Sequence, residues 1–356
     1  MTGLPYVAEN IRSVLKWSLI SVVTLFSLWV LWVVFSFTYK LIFPPPPAPP
    51  DVAFGKLRQP VTFNSTFSAN LFILDTPGNT FVSPPKALQV YEIPRIEGEF
   101  ASLDNAKKIA RNAGLDSEPQ QLSDNEWRWT NKKNPNKSLK FNIVTNNFVY
   151  TYDWNADTKV LEGNFKTNDE AIISKAKGQL TSFKALKDDL KNGTTRISYW
   201  KIVGKDQNSV GSYSEANAVM VEFFRQEIDK ENKLIELNPD RAQVNVWLSP
   251  SAGDNQLLEL NYTYFSYSKD KTATYPPKSG TQAFEDLKTA KAFIAKGLNE
   301  TFETITITKT YLAYLNPNTD RRTLQQVYVF EGNGIVKGEK KDFVAYVPAI
   351  TKDYQR

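Results

Sequence analysis

The chain contains no cysteine and no histidine among its 356 residues. Without cysteine it lacks a disulfide framework, a thiol nucleophile and a cysteine–zinc site. Without histidine it lacks the usual base of a Ser–His–Asp triad, the commonest metal ligand and a side chain that titrates near pH 7. The sequence therefore predicts that the protein is not an enzyme, with no catalytic residue, and that it holds no metal and no cofactor.

Sequence motifs that bind phosphate or calcium are also missing. The chain has no G-x-x-x-x-G-K-[ST], no G-x-G-x-x-G and no EF-hand loop. Its net charge is +5, and residues 1–50 supply +2 of it from Arg12, Lys16 and Lys40 against Glu9, which leaves +3 for the rest. Basic and acidic residues are interspersed and form no long run of like charge, so a nucleic-acid partner is not expected.

A long apolar run does occur near the start of the chain. Between Lys16 and Lys40 lie 23 uncharged residues, WSLISVVTLFSLWVLWVVFSFTY. About 20 apolar residues cross the hydrocarbon core of a bilayer as a helix. The sequence predicts one transmembrane helix over residues 17–42. Aromatic and basic residues within and beside the run fit interfacial anchoring; the predicted anchor residues are Lys16, Trp17, Trp29, Trp32, Tyr39 and Lys40.

The flanks of this run favour a retained anchor with the N-terminus in the cytoplasm. A signal-peptide core has about 7–15 apolar residues and ends at small residues, whereas this run is longer and lacks an A-x-A site. Arg12 and Lys16 precede it, and after Lys40 the next basic residue is Lys56. By the positive-inside rule, residues 1–16 form a cytoplasmic tail and the C-terminal domain lies outside a cell membrane. The lipid bilayer is thus one predicted partner.

Residues 43–56 form a predicted proline-rich linker. Six prolines fall between Pro44 and Pro50, and such a run favours polyproline II, which rises about 3.1 Å per residue. The alternative, a ligand for an SH3-type groove, is less favoured because the run lies close to the predicted bilayer and has no basic residue in the usual register. Residues 57–98 follow as a predicted β-rich collar.

The rest of the chain predicts three modules, each a helix followed by strands, at residues 99–166, 167–275 and 276–356. Aromatic residues make up 13% of the chain, which favours strands. A helix laid on an antiparallel sheet gives the α+β class. The sequence therefore predicts a strand-rich α+β fold after the single N-terminal transmembrane helix.

Individual helix ends and strand faces can also be predicted. Asn168 or Asp169 is expected to cap a second-module helix whose apolar spacing continues to Leu190, and Thr281 is expected to cap the third-module helix. The segment AQVNVWL at 242–248 alternates apolar and other residues, which predicts a half-buried strand.

Further signals come from the first module. Ser102 is expected to cap its helix. The segment LKFNIVTNNFVYTYDW predicts a hairpin that turns at Asn146 and Asn147, with Phe148, Tyr150 and Tyr152 on one face.

The segment order resembles PepSY-type and YycH/YycI-type regulatory ectodomains, in which one N-terminal anchor precedes small helix-on-sheet modules. The resemblance is greatest over 281–350, which carries AFEDLK, TYLAYLNP, QQVYVFEG and FVAYVPAI. The chain also resembles uncharacterised single-pass envelope proteins of candidate-phylum bacteria at the junction PPPPAPPDVAFGKL. These resemblances imply an envelope sensor, inhibitor or scaffold that binds through sheet faces or strand edges, and they carry over no catalytic residue.

Two groups of side chains are candidates for a site. Aromatic residues can stack on sugar rings or anchor a protein partner, or they can simply fill the core; the candidates are Trp127, Trp129, Trp247, Tyr262 and Tyr264. Paired carboxylates suffice for a glycosidase without histidine, although most lie where acids are simply solvated; the candidates are Asp188, Asp189, Glu222, Glu231, Glu285 and Asp286.

Together these observations predict a membrane-anchored, extracytoplasmic binding or regulatory module of the cell envelope that contacts a protein or a cell-wall component without catalysis. Two alternatives stay open. One is an envelope hydrolase that uses carboxylates, and the other is a structural subunit of an envelope complex. The sequence carries no signature of an oligomeric state.

Overall fold

The computed structural model describes residues 4–42, 49–64, 68–95, 99–229, 233–251 and 256–356. The chain divides into two compact units, Met1–Pro49 and Pro50–Arg356. The first unit contains helix α1, Leu4–Ile42. This helix begins well before the predicted transmembrane start at residue 17, since the preceding segment AENIRSVLK contains no helix-breaking residue. Of the predicted linker, residues 43–48 lie outside the described residues.

The second unit contains four α-helices in its described part. They are α2 Glu99–Asn112, α3 Asp169–Ser182, α4 Asp188–Lys191 and α5 Gly280–Lys288. Short 3₁₀ helices lie at Pro77–Asn79, Thr158–Leu161 and Lys352–Tyr354.

Strands make up most of the second unit. In chain order they are β1 Ser68–Leu74, β2 Leu88–Glu92, β3 Gln120–Gln121, β4 Glu126–Thr130, β5 Lys137–Asn142, β6 Phe148–Tyr152, β7 Thr195–Val203, β8 Asp206–Val210, β9 Ala218–Phe223, β10 Leu234–Ile235, β11 Val244–Leu248, β12 Leu257–Tyr262, β13 Thr272–Tyr275, β14 Phe293–Lys296, β15 Thr301–Leu315, β16 Thr323–Leu324, β17 Gln326–Val336 and β18 Glu339–Pro348.

The largest sheet has nine strands in the order β3-β4-β5-β6-β12-β11-β9-β7-β8. Every pairing in it is antiparallel. Helices α2 and α3 cover it with apolar faces that include the fully buried Ala106, Ala110, Ile172 and Ala176. The antiparallel pairing lets short loops join most neighbouring strands, and the helices bury the apolar face that the sheet presents.

The second sheet has six strands and is mixed. Its order is β1-β15-β17-β18-β14, with β10 also paired to β15. Strands β1 and β10 run parallel to β15, while β15, β17 and β18 form an antiparallel meander. Helix α5 packs on this sheet, where the Phe284 and Phe330 rings lie 6.0 Å apart.

A small sheet, β13-β2-β16, lies beside the six-stranded sheet. Its strands are far apart in sequence, and β2 is paired on both sides, by β13 and by β16. The segment at Leu57 makes a parallel bridge to Gln355 nearby. This small sheet therefore joins the collar (β2), the second module (β13) and the third module (β16), and the bridge at Leu57 brings the collar to the segment at Gln355.

The strand-rich α+β class is confirmed, but the sheets do not follow the predicted module boundaries. The nine-stranded sheet takes strands from both 99–166 and 167–275. The six-stranded sheet combines β1 from the collar and β10 from the second module with strands of 276–356. Strand pairing across long sequence separations leaves no trace in local periodicity, which is why the sequence suggested separate modules.

The predicted second-module helix is in fact two helices. Helix α3 ends at Ser182 because the next residues form a Schellman motif. The Ala185 N–H donates to the Leu180 carbonyl at 2.7 Å and the Lys184 N–H donates to the Thr181 carbonyl at 2.9 Å. Lys184 has a φ of 56°, a conformation usually reserved for glycine. Because this position holds a lysine and not a glycine, the sequence did not predict that the helix ends here.

Helix caps were predicted with mixed success. Asn168 caps α3 as expected, since its side chain accepts from the Ala171 N–H. Thr281 does not cap α5, because Ser279 forms a capping box with Gln282 two residues earlier than expected. Ser102 is likewise no cap, since it lies inside α2 and is buried.

The strand at 242–248 was predicted to be half-buried, and that prediction is wrong. All five residues of β11 are buried, because β11 lies in the middle of the nine-stranded sheet and both its faces are covered. Trp247 packs against Trp200 at 5.4 Å between ring centres. Asn245 donates to the Ala242 carbonyl and accepts from the Asn261 amide. Hydrogen bonds of this kind allow a polar residue on a buried face.

Candidate functional site

Two adjoining cavities form a cleft within the second unit. The first, which we call the aromatic cavity, has a volume of about 460 Å³. The second, the basic cavity, has a volume of about 640 Å³. Both are lined by Ile93, Arg95 and Asp320, so they are neighbouring parts of one cleft. Concave sites of this size are the usual place for a ligand.

The aromatic cavity is walled by rings from two paired strands and the end of helix α3. Phe148 on β6 lies opposite Tyr262 on β12 in the sheet, and their rings stack at 5.0 Å. The Phe183 ring stacks on Phe148 at 5.5 Å, and Tyr264 continues the row from Tyr262 at 5.8 Å. The row of mutually stacked rings gives the cavity an apolar wall.

Polar groups surround the mouth of the aromatic cavity. Asn146, in the hairpin turn with a φ of 56°, lines it, and within the described part of the chain its buried Oδ1 has no hydrogen-bond partner. The cations Lys184 and Lys187 are exposed there. The cavity thus combines an apolar wall with an unused acceptor and positive charge, which suits a ligand that carries an apolar group, a hydrogen-bond donor and an acidic group.

A buried guanidinium supports the wall from behind. The Arg225 side chain is only 3% exposed and donates to Asp189 at 2.6 Å. It also donates to the Phe265 carbonyl at 2.9 Å and lies 4.4 Å from the centre of the Tyr264 ring. The Tyr264 hydroxyl donates to Asp189 at 3.0 Å. These contacts fix the Tyr264 ring at the cavity edge.

The same network connects the nine-stranded sheet to the six-stranded sheet. Arg225 follows β9 and donates to Asn316, just after β15, at 3.0 Å. The Asn316 amide donates to both Glu236 carboxylate oxygens at 3.1 Å. Burial raises the pKa of Glu236 to about 7, and the hydrogen bond from Asn316 and the charge of Arg225 oppose that rise. The charge of Glu236 consequently changes near neutral pH.

The basic cavity is built where four chain segments meet. The Gln325 amide donates to the Arg58 carbonyl at 2.8 Å, and the Ile93 N–H donates to the Arg322 carbonyl at 2.8 Å. Arg321 donates to the Gln59 carbonyl at 3.0 Å. Hydrogen bonds to backbone carbonyls therefore hold the segments near 58, 93 and 321 in fixed positions around the cavity.

The predicted partner-binding aromatics divide between core and cleft. Trp129 and Trp247 are 3% and 4% exposed and belong to the core of the nine-stranded sheet, so they offer no surface to a partner. Tyr262 is also a core residue at 5% exposure, but its ring contributes to the aromatic cavity. Tyr264 is half-buried and lines the same cavity, while Trp127 is half-buried on β4, away from it.

The predicted membrane anchors lie on α1. Among the described helices, α1 alone is long and apolar enough to cross a membrane, over Leu15–Tyr39 with a mean hydropathy of 2.3. Its apolar side chains are exposed along the whole segment, and the predicted anchors Lys16, Trp17, Trp29, Trp32 and Tyr39 are exposed with them. The side chain of Lys40 lies outside the described residues.

The carboxylates considered for hydrolysis are mostly engaged in ion pairs. Glu222 accepts from Arg196 at 2.7 Å, Asp286 accepts from Lys278 at 2.7 Å and Glu285 pairs with Lys288 at 2.5 Å. Asp189 is held by Arg225, whereas Asp188 is exposed in α4. Glu231 lies outside the described residues. No group of three or more potential metal ligands occurs in the part of the chain that the structure describes.

The arginines of the basic cavity were missed by sequence reasoning. They come from positions as distant as Arg58 and Arg321, and the small β13-β2-β16 sheet that helps to assemble them joins short strands with weak patterns. The adjacent Arg321 and Arg322 were the only local signal, and two adjacent basic residues are common on surfaces.

Comparison with known proteins gives little additional information. No protein-family model matches the chain, and no curated protein matches it. Among solved structures, it is similar to the crystal structure of an uncharacterized protein from Eubacterium rectale, at 11% sequence identity and a TM-score of 0.36. The alignment covers 80% of this chain and 88% of that chain. A TM-score of this size carries no argument about fold or function.

Proposed function

We propose that the protein is a membrane-anchored, extracytoplasmic binding or regulatory module of the cell envelope, and that it acts without catalysis. The observation that carries this proposal is the aromatic cavity, an apolar wall with polar groups at its mouth, on a strand-rich unit that follows an apolar helix. The ligand is a protein segment or a cell-wall component that presents an apolar or planar group beside an acidic one.

The membrane part of the proposal is supported by the composition of α1. The segment Leu15–Tyr39 is 25 residues long and apolar, and about 20 such residues suffice to span. Arg12 and Lys16 on its N-terminal side favour a cytoplasmic N-terminus. We therefore place the unit Pro50–Arg356 on the outer side of a single-pass cell-membrane protein.

The regulatory part of the proposal is supported by architecture. Helices α2 and α3 lie on an antiparallel sheet and α5 lies on the six-stranded sheet, and the sequence resemblance to PepSY-type and YycH/YycI-type ectodomains implies helices on sheets in this way. Proteins of that pattern bind through surfaces rather than through catalytic residues. This supports a PepSY-like binding role for the cleft.

Site-specific photo-crosslinking in the native membrane tests the proposal. A photoreactive amino acid replaces Lys187 at the mouth of the aromatic cavity, and a second variant carries it at Lys340, an exposed residue of β18. We expect a discrete adduct from position 187 that is absent from position 340 and is suppressed by Lys184→Glu. No adduct at 187 would refute a ligand in this cavity. Adducts of equal yield from both positions would favour a structural subunit enclosed in a larger assembly.

A further inference from the structure

The basic cavity has a large excess of positive charge. Six cationic side chains and two carboxylates line it, a net side-chain charge of +4, compared with +5 for the whole chain. The cations are Lys56, Arg58, Arg95, Arg321, Arg322 and Arg356, and the carboxylates are Glu92 and Asp320. Glu92 is already paired with Lys271 at 3.2 Å. Most of the positive charge is therefore not balanced by acids of the cavity itself.

Four arginines of this cavity have no carboxylate partner among the residues that the structure describes. In the described ranges, no ion pair involves Arg58, Arg95, Arg321 or Arg322. Arg321 is half-buried, and its pKa is lowered by burial and by the nearby positive charge of Arg58. Both residues line the cavity, and the Arg321 guanidinium donates to the carbonyl of Gln59, the residue after Arg58, so the two positively charged residues are neighbours. Like charges held together without counter-charge destabilise a protein unless an anion binds between them.

The scaffold keeps these arginines in place. The backbone at Arg58 is fixed by Gln325, and that at Arg322 is fixed by Ile93. The Arg321 guanidinium uses one donor on the Gln59 carbonyl, and the fork geometry of an arginine leaves further donors for a ligand. Planar guanidinium groups match the oxygen pairs of phosphate, and they retain their charge at every physiological pH.

We propose that the basic cavity is a binding site for a phosphate group, held by Arg58 and Arg321 with Arg95 and Arg322 at the rim. The phosphate belongs either to a lipid headgroup or to a free phosphate compound. This site lies beside the aromatic cavity and was not predicted from sequence motifs. It does not rest on the proposed envelope function, because its chemistry is set by the cavity and not by the location of the chain.

Calorimetric titration of the full-length chain in maltoside micelles, which contain no phosphate, tests the site at physiological ionic strength. The probes are inorganic pyrophosphate and a soluble short-chain phosphatidic acid. We expect saturable binding of at least one probe with one site per chain. Saturation by pyrophosphate identifies a free phosphate ligand, and saturation by the lipid alone identifies a headgroup; both support the site.

Three variants make the titration decisive. Arg58→Gln changes an exposed side chain, and Arg321→Gln changes the half-buried one; each is expected to weaken binding at least tenfold. Arg128→Gln, an exposed arginine on β4 of the nine-stranded sheet, is the matched control and is expected to leave affinity within twofold. Absence of saturable binding to both probes overturns the proposal. Equal weakening by Arg128→Gln and Arg58→Gln overturns it too, since binding would then follow overall charge.

Discussion

The two cavities of the cleft are lined by different kinds of side chain, mainly buried aromatic rings in one and mainly exposed arginines in the other. The aromatic cavity uses rings that also fill the core, such as Phe148 and Tyr262, which are 4% and 5% exposed. The basic cavity uses side chains such as Arg58 and Arg322, which are exposed and contribute little to packing. A change in the first cavity should therefore cost stability and binding together, whereas a change in the second should cost binding alone.

The largest effect is expected from truncating the wall of the aromatic cavity. Phe148→Ala should lower the free energy of unfolding by about 3–5 kcal/mol, the range for deleting a buried ring. Phe148→Leu keeps most of the apolar volume and should cost clearly less. Chemical unfolding of the full chain in micelles, followed by tryptophan fluorescence, measures both. A loss for Phe148→Ala no greater than that for Arg58→Gln would contradict the distinction between the cavities.

The next effect concerns the buried network behind the aromatic wall. The pKa of Glu236 is about 7 in the folded protein against an ordinary value of 4.5, so the folded state binds the proton more tightly. The tighter binding of this proton by the folded state stabilises the protein. That stabilisation is complete below about pH 4.5 and is lost as the pH rises through 7. Between pH 5 and pH 8 we expect the free energy of unfolding to fall by about 2–3 kcal/mol.

Measurement of unfolding at the two pH values, for wild type and Glu236→Gln, checks this expectation. The variant should show a much smaller pH dependence because its side chain does not titrate. Because the chain has no histidine, no imidazole titrates between pH 5 and pH 8, so none adds to the pH dependence of unfolding. The same dependence in both proteins would assign the effect to another group.

A smaller effect, of opposite sign, is expected at the mouth of the aromatic cavity. Lys184 occupies a left-handed backbone position with a φ of 56°, so Lys184→Gly should raise the free energy of unfolding by about 1 kcal/mol. Lys187→Gly is the matched control, because Lys187 has a φ of −82° and should gain nothing. Thermal unfolding of the pair measures the difference, and equal shifts would remove the backbone explanation.

The smallest effect on stability is expected in the basic cavity. Arg58 is exposed, and no ion pair to it occurs in the described part of the chain, so Arg58→Gln should change the free energy of unfolding by less than about 0.5 kcal/mol. The same chemical-unfolding measurement applies. A large destabilisation would show that the arginine supports the fold, which would weaken its assignment to a ligand.

The sequence was most informative where signals were local. The hairpin of β5 and β6 was predicted correctly, and Phe148, Tyr150 and Tyr152 are buried as expected. Its turn begins earlier than predicted, since β5 ends at Asn142 and residues 143–147 form the connection. The apolar run of α1 and the Asn168 cap were also predicted, because each depends only on residues that are adjacent in the sequence.

Features that depend on residues far apart in the sequence could not be predicted from it. Burial of both faces of β11 results from its central place between β9 and β12, and no property of the segment itself encodes that place. The basic cavity depends on pairing between β2 and β16, which are more than two hundred residues apart in the chain. The site was therefore hidden for the same physical reason as the sheet order.

The most direct test of the account uses the absence of native cysteine. Single variants Arg12→Cys, Lys187→Cys and Lys340→Cys are labelled with a membrane-impermeant maleimide, first in intact cells and then after purification. We predict that position 340 is labelled in intact cells, that position 187 is labelled more slowly there than after purification because the cleft is occupied, and that position 12 requires permeabilisation. Labelling of position 12 but not 340 in intact cells, or equal rates at 187 before and after purification, would contradict the account.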